Sequence, residues 1–150
     1  MTAYCLSRHY DNVTTPFDGP HAELAWMFLQ SMCEGGDLDE GFTLLSDDFT
    51  FWSLITRISF DKQTFRRSID TRKKFFEVTI DLLRCVNDGD TVVVEAEVHG
   101  STVDGIQYDS PFACFCETRD GLIVSIREYS DTRSAAAVLP PPGSAGYLSC

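Results

Sequence analysis

The chain has 150 residues, enough for one domain whose core needs neither disulfides nor a metal to hold it together. Its 12 lysines and arginines stand against 23 acidic residues, which gives a formal net charge of −11. This charge repels phosphate backbones and anionic lipid headgroups, so we expect no nucleic acid and no membrane surface as partners. The first residues lack the apolar core of a signal peptide, and no apolar run is long enough to cross a bilayer, which predicts a cytoplasmic protein.

The first part of the chain predicts a lead-in followed by two helices. Residues 1–17 show no sustained hydrophobic period and are predicted to be loosely attached. A helix is predicted to begin at Pro20, which suits a first helical position, and to be stopped by Gly35 and Gly36. Asp37 and Glu40 have the spacing of a capping box, which opens a second, short helix.

The middle of the chain predicts a short strand and a third helix. Residues 48–54 are aromatic and β-branched, as is typical of a strand. Asp61 is a candidate cap for the helix that follows. The basic side chains of this helix are expected to form a solvated face: Arg66, Arg67, Arg72, Lys73 and Lys74.

The second half of the chain predicts four strands. From Val78 onward the hydrophobic period is two, and turn signals at residues 87–90, 104–105 and 119–121 separate the strands. The order of elements is α-α-β-α-β-β-β-β, an α+β layout with the helices on one side of a curved antiparallel sheet. The domain is predicted to span residues 18–139, and a flexible tail is predicted at 140–150.

Two parts of the sequence resemble proteins of the nuclear-transport-factor-2-like class. EGGDLDEGFTLLSDDFTFW is similar to their second helix and first strand, and GDTVVVEAEVHGSTVDG with PFACFCETRDGLIVSIREYSDT is similar to their last three strands. The resemblance covers residues 21–139 and includes SnoaL-like, ketosteroid-isomerase-related and limonene-epoxide-hydrolase-like members. It implies a cone-shaped sheet with three N-terminal helices packed over its concave face. The fold alone does not define an activity.

The resemblance also places the functional positions of two known enzyme types on this chain. The general-base aspartate of steroid isomerases falls on Ser53, and their oxyanion tyrosine falls near Phe28 or Leu29. The tyrosine and asparagine that hold water in limonene-epoxide hydrolase fall on Phe51 and Ser53. These residues lack the required groups, so neither standard mechanism is supported.

One of the long strands has a polar face that bears on function. Glu97 and His99 alternate with Ala96 and Val98, so the two pairs lie on opposite faces. Either the polar face meets solvent and the apolar side chains line the core, or the polar side chains project into a pocket. The resemblance favours the pocket, because the strand arginine and aspartate of limonene-epoxide hydrolase fall on Glu97 and His99. His99 is then a candidate general base with Glu97 as its orienting carboxylate.

Glu128 is a further candidate, since it ends an otherwise apolar row on the last strand. The resemblance places the last-strand aspartate of the hydrolase here. Burial raises the pKa of a carboxyl group, which would let Glu128 both give and take a proton near neutral pH. Tyr108 is a weaker candidate as a phenol donor. Residues predicted to bind the substrate are Phe28, Phe51, Ser53, Phe112 and Cys114.

Together these residues predict a cofactor-independent acid–base enzyme, an isomerase, cyclase, dehydratase or related lyase, that acts on a small hydrophobic molecule in an enclosed pocket. No CxxC pair, phosphate loop or dinucleotide glycine pattern occurs, so we expect no metal and no cofactor. The alternatives are an epoxide hydrolase with an altered water-activating set and a noncatalytic binding or dimeric interaction module. The resemblance implies a homodimer, with Trp52, Val94 and Val98 at the contact if the polar face points inward.

Overall fold

The computed structural model describes residues 19–138, and the predicted lead-in and tail lie outside this range. The described residues form four helices: α1 (Pro20–Ser31), α2 (Leu38–Phe42), α3 (Lys62–Lys73) and α4 (Thr132–Val138). They also form six strands: β1 (Leu45–Ser53), β2 (Ser59–Asp61), β3 (Phe76–Asp88), β4 (Thr91–Thr102), β5 (Gln107–Arg119) and β6 (Leu122–Ser130). Within 19–138, every helix is too short or too polar to cross a membrane.

The starts of the first three helices follow the local sequence signals. Pro20 is the first residue of α1. The carboxylate of Asp37 accepts a hydrogen bond from the backbone N–H of Glu40 at 3.1 Å, and that of Asp61 accepts one from Thr64 at 2.7 Å. Each cap pairs an N–H that the first helical turn leaves without a partner in the helix. The predicted helix starts are therefore confirmed.

The six strands form one sheet in the order β2-β1-β6-β5-β4-β3. Strands β3 to β6 pair as the predicted antiparallel meander. Strand β1, however, lies parallel to β6, and the three-residue β2 pairs with the outer edge of β1. The sheet is thus mixed rather than wholly antiparallel. Turn signals report only pairings between chain neighbours, so they could not reveal the long-range contact between β1 and β6.

The helices α1 and α3 cover one face of this sheet, called here the inner face. Phe65 of α3 stacks on Phe51 of β1 with ring centroids 4.1 Å apart and planes inclined by 11°. Its ring also lies 5.7 to 6.2 Å from those of Phe28, Phe42 and Phe49. This cluster of five phenylalanines joins α1, α2 and α3 to β1, so it fixes the helices on the inner face.

Arg72 departs from the predicted solvated face of α3. Its side chain is 1% exposed, its Nη2 donates to the carbonyl oxygen of Met32 at 2.7 Å, and its guanidinium lies 5.6 Å from the ring centroid of Phe76. The reason is the helical period, which puts position 72 on the same face as Phe65 and Ile69. The prediction was wrong for this residue, although Arg67 and Lys74 are exposed as expected.

Candidate active site

The inner face of β4 is apolar. Val94, Ala96 and Val98 are buried beneath the helices, whereas Glu97 and His99 lie on the opposite, outer face and are partly exposed. The prediction that these two polar side chains project into the interior is therefore corrected. Burying ionisable groups without matched partners is costly, and the aliphatic side chains of the same strand meet the helices instead. The resemblance assigned the polar functional positions of β4 to residues 97 and 99. The side chains of this strand that point inward are instead those of Ala96 and Val98, each one residue earlier.

Glu128 does lie inside. It is 2% exposed and stands in register with Ser53 of the parallel strand β1 and with Cys114 of the antiparallel strand β5. Residues in register point to the same side of a sheet, so the three side chains form one buried row of hydroxyl, carboxyl and thiol. The row is fixed by the backbone, since the N–H of Leu54 donates to the carbonyl oxygen of Glu128 at 2.9 Å.

Ser53 and Cys114 have further contacts that hold them in this row. The hydroxyl oxygen of Ser53 accepts a hydrogen bond from the backbone N–H of Ile55 at 3.2 Å, which closes the turn after β1. The sulfur of Cys114 lies 3.9 Å from that of Cys116, and both thiols are buried on the inner face. The carboxyl of Glu128 is thus flanked on both sides by small, well-positioned side chains.

The other predicted pocket residues are buried but do not all approach Glu128. Phe112 lies on the inner face two residues before Cys114, next to the row. Phe28 and Phe51 belong to the phenylalanine cluster and pack against Phe65. Cys114 therefore lies in the row itself, Phe112 and Phe51 each lie one inner position before the row on β5 and β1, and Phe28 packs in the phenylalanine cluster.

Tyr108 is buried at the other end of the inner face. It stands in register with Gly100 of β4, and its ring meets that of Phe76 edge-on with centroids 6.4 Å apart. Six residues of strand separate it from Cys114, a length of roughly 20 Å. The backbone of Tyr108 therefore lies farther along the sheet from that of Glu128 than the backbone of Phe112 does.

His99 has two carboxylate partners on the outer face. Its Nδ1 lies 2.7 Å from an oxygen of Asp109 and its Nε2 lies 3.2 Å from one of Asp81. Partial burial lowers the pKa of His99, but the hydrogen bond with Asp109 and the charges of Asp81, Asp109 and Glu97 raise this pKa above its usual value. Sequence reasoning had named only Glu97. The turn at 104–105 contained the missing signal, because a hairpin centred on Asp104 places residue 109 opposite residue 99.

The outer face also carries a row in register across β1, β6, β5, β4 and β3, called here the outer belt, in which one arginine stands among aromatic and aliphatic side chains. Its members are Trp52, Arg127, Phe115, Val93 and Val86. The guanidinium of Arg127 lies 4.0 Å from the ring centroid of Trp52, so its charge is stacked on an aromatic face. A groove of about 510 Å³ runs beside the belt between Tyr129 and Arg84.

A curved sheet covered by helices on one face is the architecture of the nuclear-transport-factor-2-like class. Residues 27–126 match the model of the SnoaL-like domain, and the chain belongs to this family. No curated protein matches the sequence.

Several solved structures share the fold. A candidate polyketide cyclase from Xanthomonas campestris pv. campestris superposes with a TM-score of 0.71 at 21% identity, covering 79% of this chain and 96% of that one. A protein with a ketosteroid isomerase-like fold from Catenulispora acidiphila, in complex with trimethylamine, gives 0.69 at 20% identity, with 83% and 93% covered. An LEH-like epoxide hydrolase from M. tuberculosis gives 0.67 at 16% identity, with 77% and 85% covered. At these identities the likeness shows the fold.

Proposed function

We propose that this chain is a cofactor-independent acid–base enzyme that acts on a small hydrophobic molecule, with Glu128 as the group that transfers the proton. The observation that carries the proposal is the buried row on the inner face, in which Glu128 lies between Ser53 and Cys114. A titratable group in an apolar interior is a frequent mark of a functional site. Family membership supports this, because similar folds include a candidate polyketide cyclase and an epoxide hydrolase.

Proton transfer at a carbon next to a carbonyl group is the reaction that suits this row. The ionised carboxyl of Glu128 takes a proton from the carbon, so the C–H bond breaks, an O–H bond forms, and the electron pair moves onto the carbonyl oxygen as an enolate. The enolate then either regains the proton from Glu128 at another carbon, which is isomerisation, or attacks a second carbonyl carbon, which is cyclisation. In the second case a C–C bond forms, the π electron pair of that carbonyl moves onto its oxygen, and this oxygen takes the proton back from Glu128. Apolar walls such as Phe112 and Val94 exclude water and strengthen the electrostatic interactions of the carboxyl.

Epoxide hydrolysis is the second candidate, and the inner face favours it less. Activation of water and of the epoxide by an Asp-Arg-Asp set needs further charged groups beside the carboxyl. The nearby inner positions of β4 hold Ala96 and Val98 instead. A carboxyl beside these aliphatic positions of β4 fits a proton shuttle on carbon better than it fits the Asp-Arg-Asp set.

Isotope incorporation distinguishes these functions. Wild-type protein is incubated with three probe classes, a β,γ-unsaturated cyclic ketone, a poly-β-keto ester and an alkyl epoxide, in ²H₂O or in H₂¹⁸O. From one of the carbonyl probes we expect either an isomerised product with deuterium at the carbon that receives the proton or a cyclised product, formed faster than in a protein-free control. An ¹⁸O-labelled diol from the epoxide would overturn the proposal in favour of a hydrolase. Binding of the probes with neither label incorporated would identify a noncatalytic module.

We also propose that the chain forms a homodimer through the outer belt. Phe115 is 41% exposed and protrudes beside the groove that Val93 and Val86 help to line, so each copy offers both an aromatic ridge and an apolar hollow to the other. A two-fold interface requires this kind of self-complementary surface. Val94 and Val98, which sequence reasoning placed at the contact, are buried on the inner face, whereas Trp52 does lie on the outer face.

Replacing Phe115 with glutamate is expected to convert the dimer to a monomer, because it places a charge at the centre of an apolar contact. Sedimentation equilibrium at micromolar concentration measures the mass. The matched control is Val103→Glu, which adds the same charge at an exposed turn between β4 and β5. A monomeric wild type, or a dimer that survives Phe115→Glu, would contradict the proposed contact.

A further inference from the structure

Three side chains on three adjacent strands meet on the outer face, and His99 is the central one. Asp81 lies on β3, His99 on β4 and Asp109 on β5. The imidazole therefore bridges both neighbours of its own strand, with one ring nitrogen 2.7 Å and the other 3.2 Å from a carboxylate oxygen. These contacts are between side chains, and they add to the backbone ladder that already joins the strands.

The two carboxylate contacts suit the protonated imidazole of His99 rather than the neutral one. A neutral ring carries one N–H, and its second nitrogen presents a lone pair. With a carboxylate at each nitrogen, one of the two contacts would then set a lone pair against a negative charge. The imidazolium donates from both nitrogens and satisfies both contacts.

We propose that Asp81, His99 and Asp109 form a pH-dependent clamp that holds β3, β4 and β5 together on the outer face while His99 carries a positive charge. Deprotonation removes one of the two hydrogen bonds and leaves a carboxylate facing a lone pair, so the clamp opens on one side. This role differs from that of a general base, because the charged imidazole has no free nitrogen with which to accept a proton.

The surrounding charges act in the same direction. Glu97 lies two residues away on the same face of β4 and adds a third negative charge near the ring. Two cations along this face are paired with glutamates of their own: Arg84 of β3 with Glu95 at 3.1 Å, and Lys73 with Glu77, which lies opposite Ser101, at 3.2 Å. In the strand register, His99 lies opposite Thr79 on β3 and opposite Asp109 on β5. The local field of these groups therefore favours the protonated form.

The sign of the pH dependence follows from the raised pKa of His99. The clamp contributes its full stability below the pKa of an unfolded histidine, about 6.5, and loses that contribution as the pH rises through the folded pKa. Since the side chain of His99 is 33% exposed, solvent screens the contacts and the effect is that of a surface network.

Urea unfolding of the wild type and of His99→Gln at a series of pH values tests the clamp. Between about pH 6 and about pH 9 the folding equilibrium constant of the wild type is expected to fall about threefold relative to that of His99→Gln. His21→Gln is the matched control, because His21 contacts the hydroxyl of Thr118 rather than a carboxylate. Equal pH dependence in the wild type and His99→Gln would overturn the proposal.

A second measurement does not depend on stability. The titration midpoint of the His99 ring is followed by NMR in the wild type, in Asp109→Asn and in the double variant Asp81→Asn/Asp109→Asn. The midpoint is expected to fall stepwise as each carboxylate is neutralised. A midpoint that stays unchanged in both variants would show that His99 does not bridge these groups.

Discussion

The variant Glu128→Gln is expected to lose at least about 100-fold in turnover, since the amide keeps the size of the side chain but cannot accept or return a proton. The measurement is the steady-state rate on the carbonyl probe that the wild type converts, together with the rate of deuterium uptake at its reactive carbon. Binding of that probe is expected to persist, because the apolar side chains around position 128 are unchanged.

The matched control is Glu95→Gln, which makes the same chemical change on the outer face. Glu95 pairs with Arg84 away from the buried row, and this variant is expected to keep the wild-type rate. Full turnover by Glu128→Gln would show that the proton moves through another group. A loss of similar size in both variants would trace the effect to stability or charge rather than to the row.

The second large effect concerns stability. Truncating Phe65 to alanine is expected to lower the free energy of unfolding by about 4 kcal/mol, because a buried aromatic side chain is lost and a cavity remains. Phe65 is 1% exposed and touches rings from α1, α2 and β1, so the cavity opens where three elements meet. Equilibrium unfolding in urea, monitored by circular dichroism, gives the value.

Phe75→Ala provides the comparison for this truncation. Phe75 follows α3 and is 49% exposed, so the same loss of atoms is expected to cost less than about 1 kcal/mol. If the two variants are equally destabilised, Phe65 does not carry the packing of the helices onto the sheet.

The sequence predicted the elements that are specified by neighbouring residues. Pro20, Asp37 and Asp61 mark helix starts because a proline or a capping carboxylate acts within one turn of its own position. The meander of β3 to β6 follows from turns and alternation, which are also local. The parallel contact of β1 with β6 depends on residues from both ends of the domain, and local patterns do not report it.

The candidate site was predicted in part for a related reason. Alternation shows which residues share a face of a strand, but it does not show which face the helices cover. For β6 alternation correctly placed Glu128 on the same face as the buried Ile126. An irregularity in the pairing with β5 puts Ile123 inside and leaves Leu122 and Val124 half-buried, which alternation did not predict. For β4 both faces were plausible, and the packing of α1 against this strand decided that Ala96 rather than Glu97 lies inside.

The parallel pairing of Ser53 with Glu128 has a consequence for assembly. The two residues come from the first and last strands in chain order, so their row is completed only when two segments far apart in the chain have paired. Closing so long a loop is slow compared with forming the hairpins of β3 to β6, which need only local contacts. An intermediate that contains the meander alone would hold the carboxyl without the hydroxyl beside it. Appearance of activity during refolding should therefore trail the formation of β structure, and catalysis would report the final step of folding.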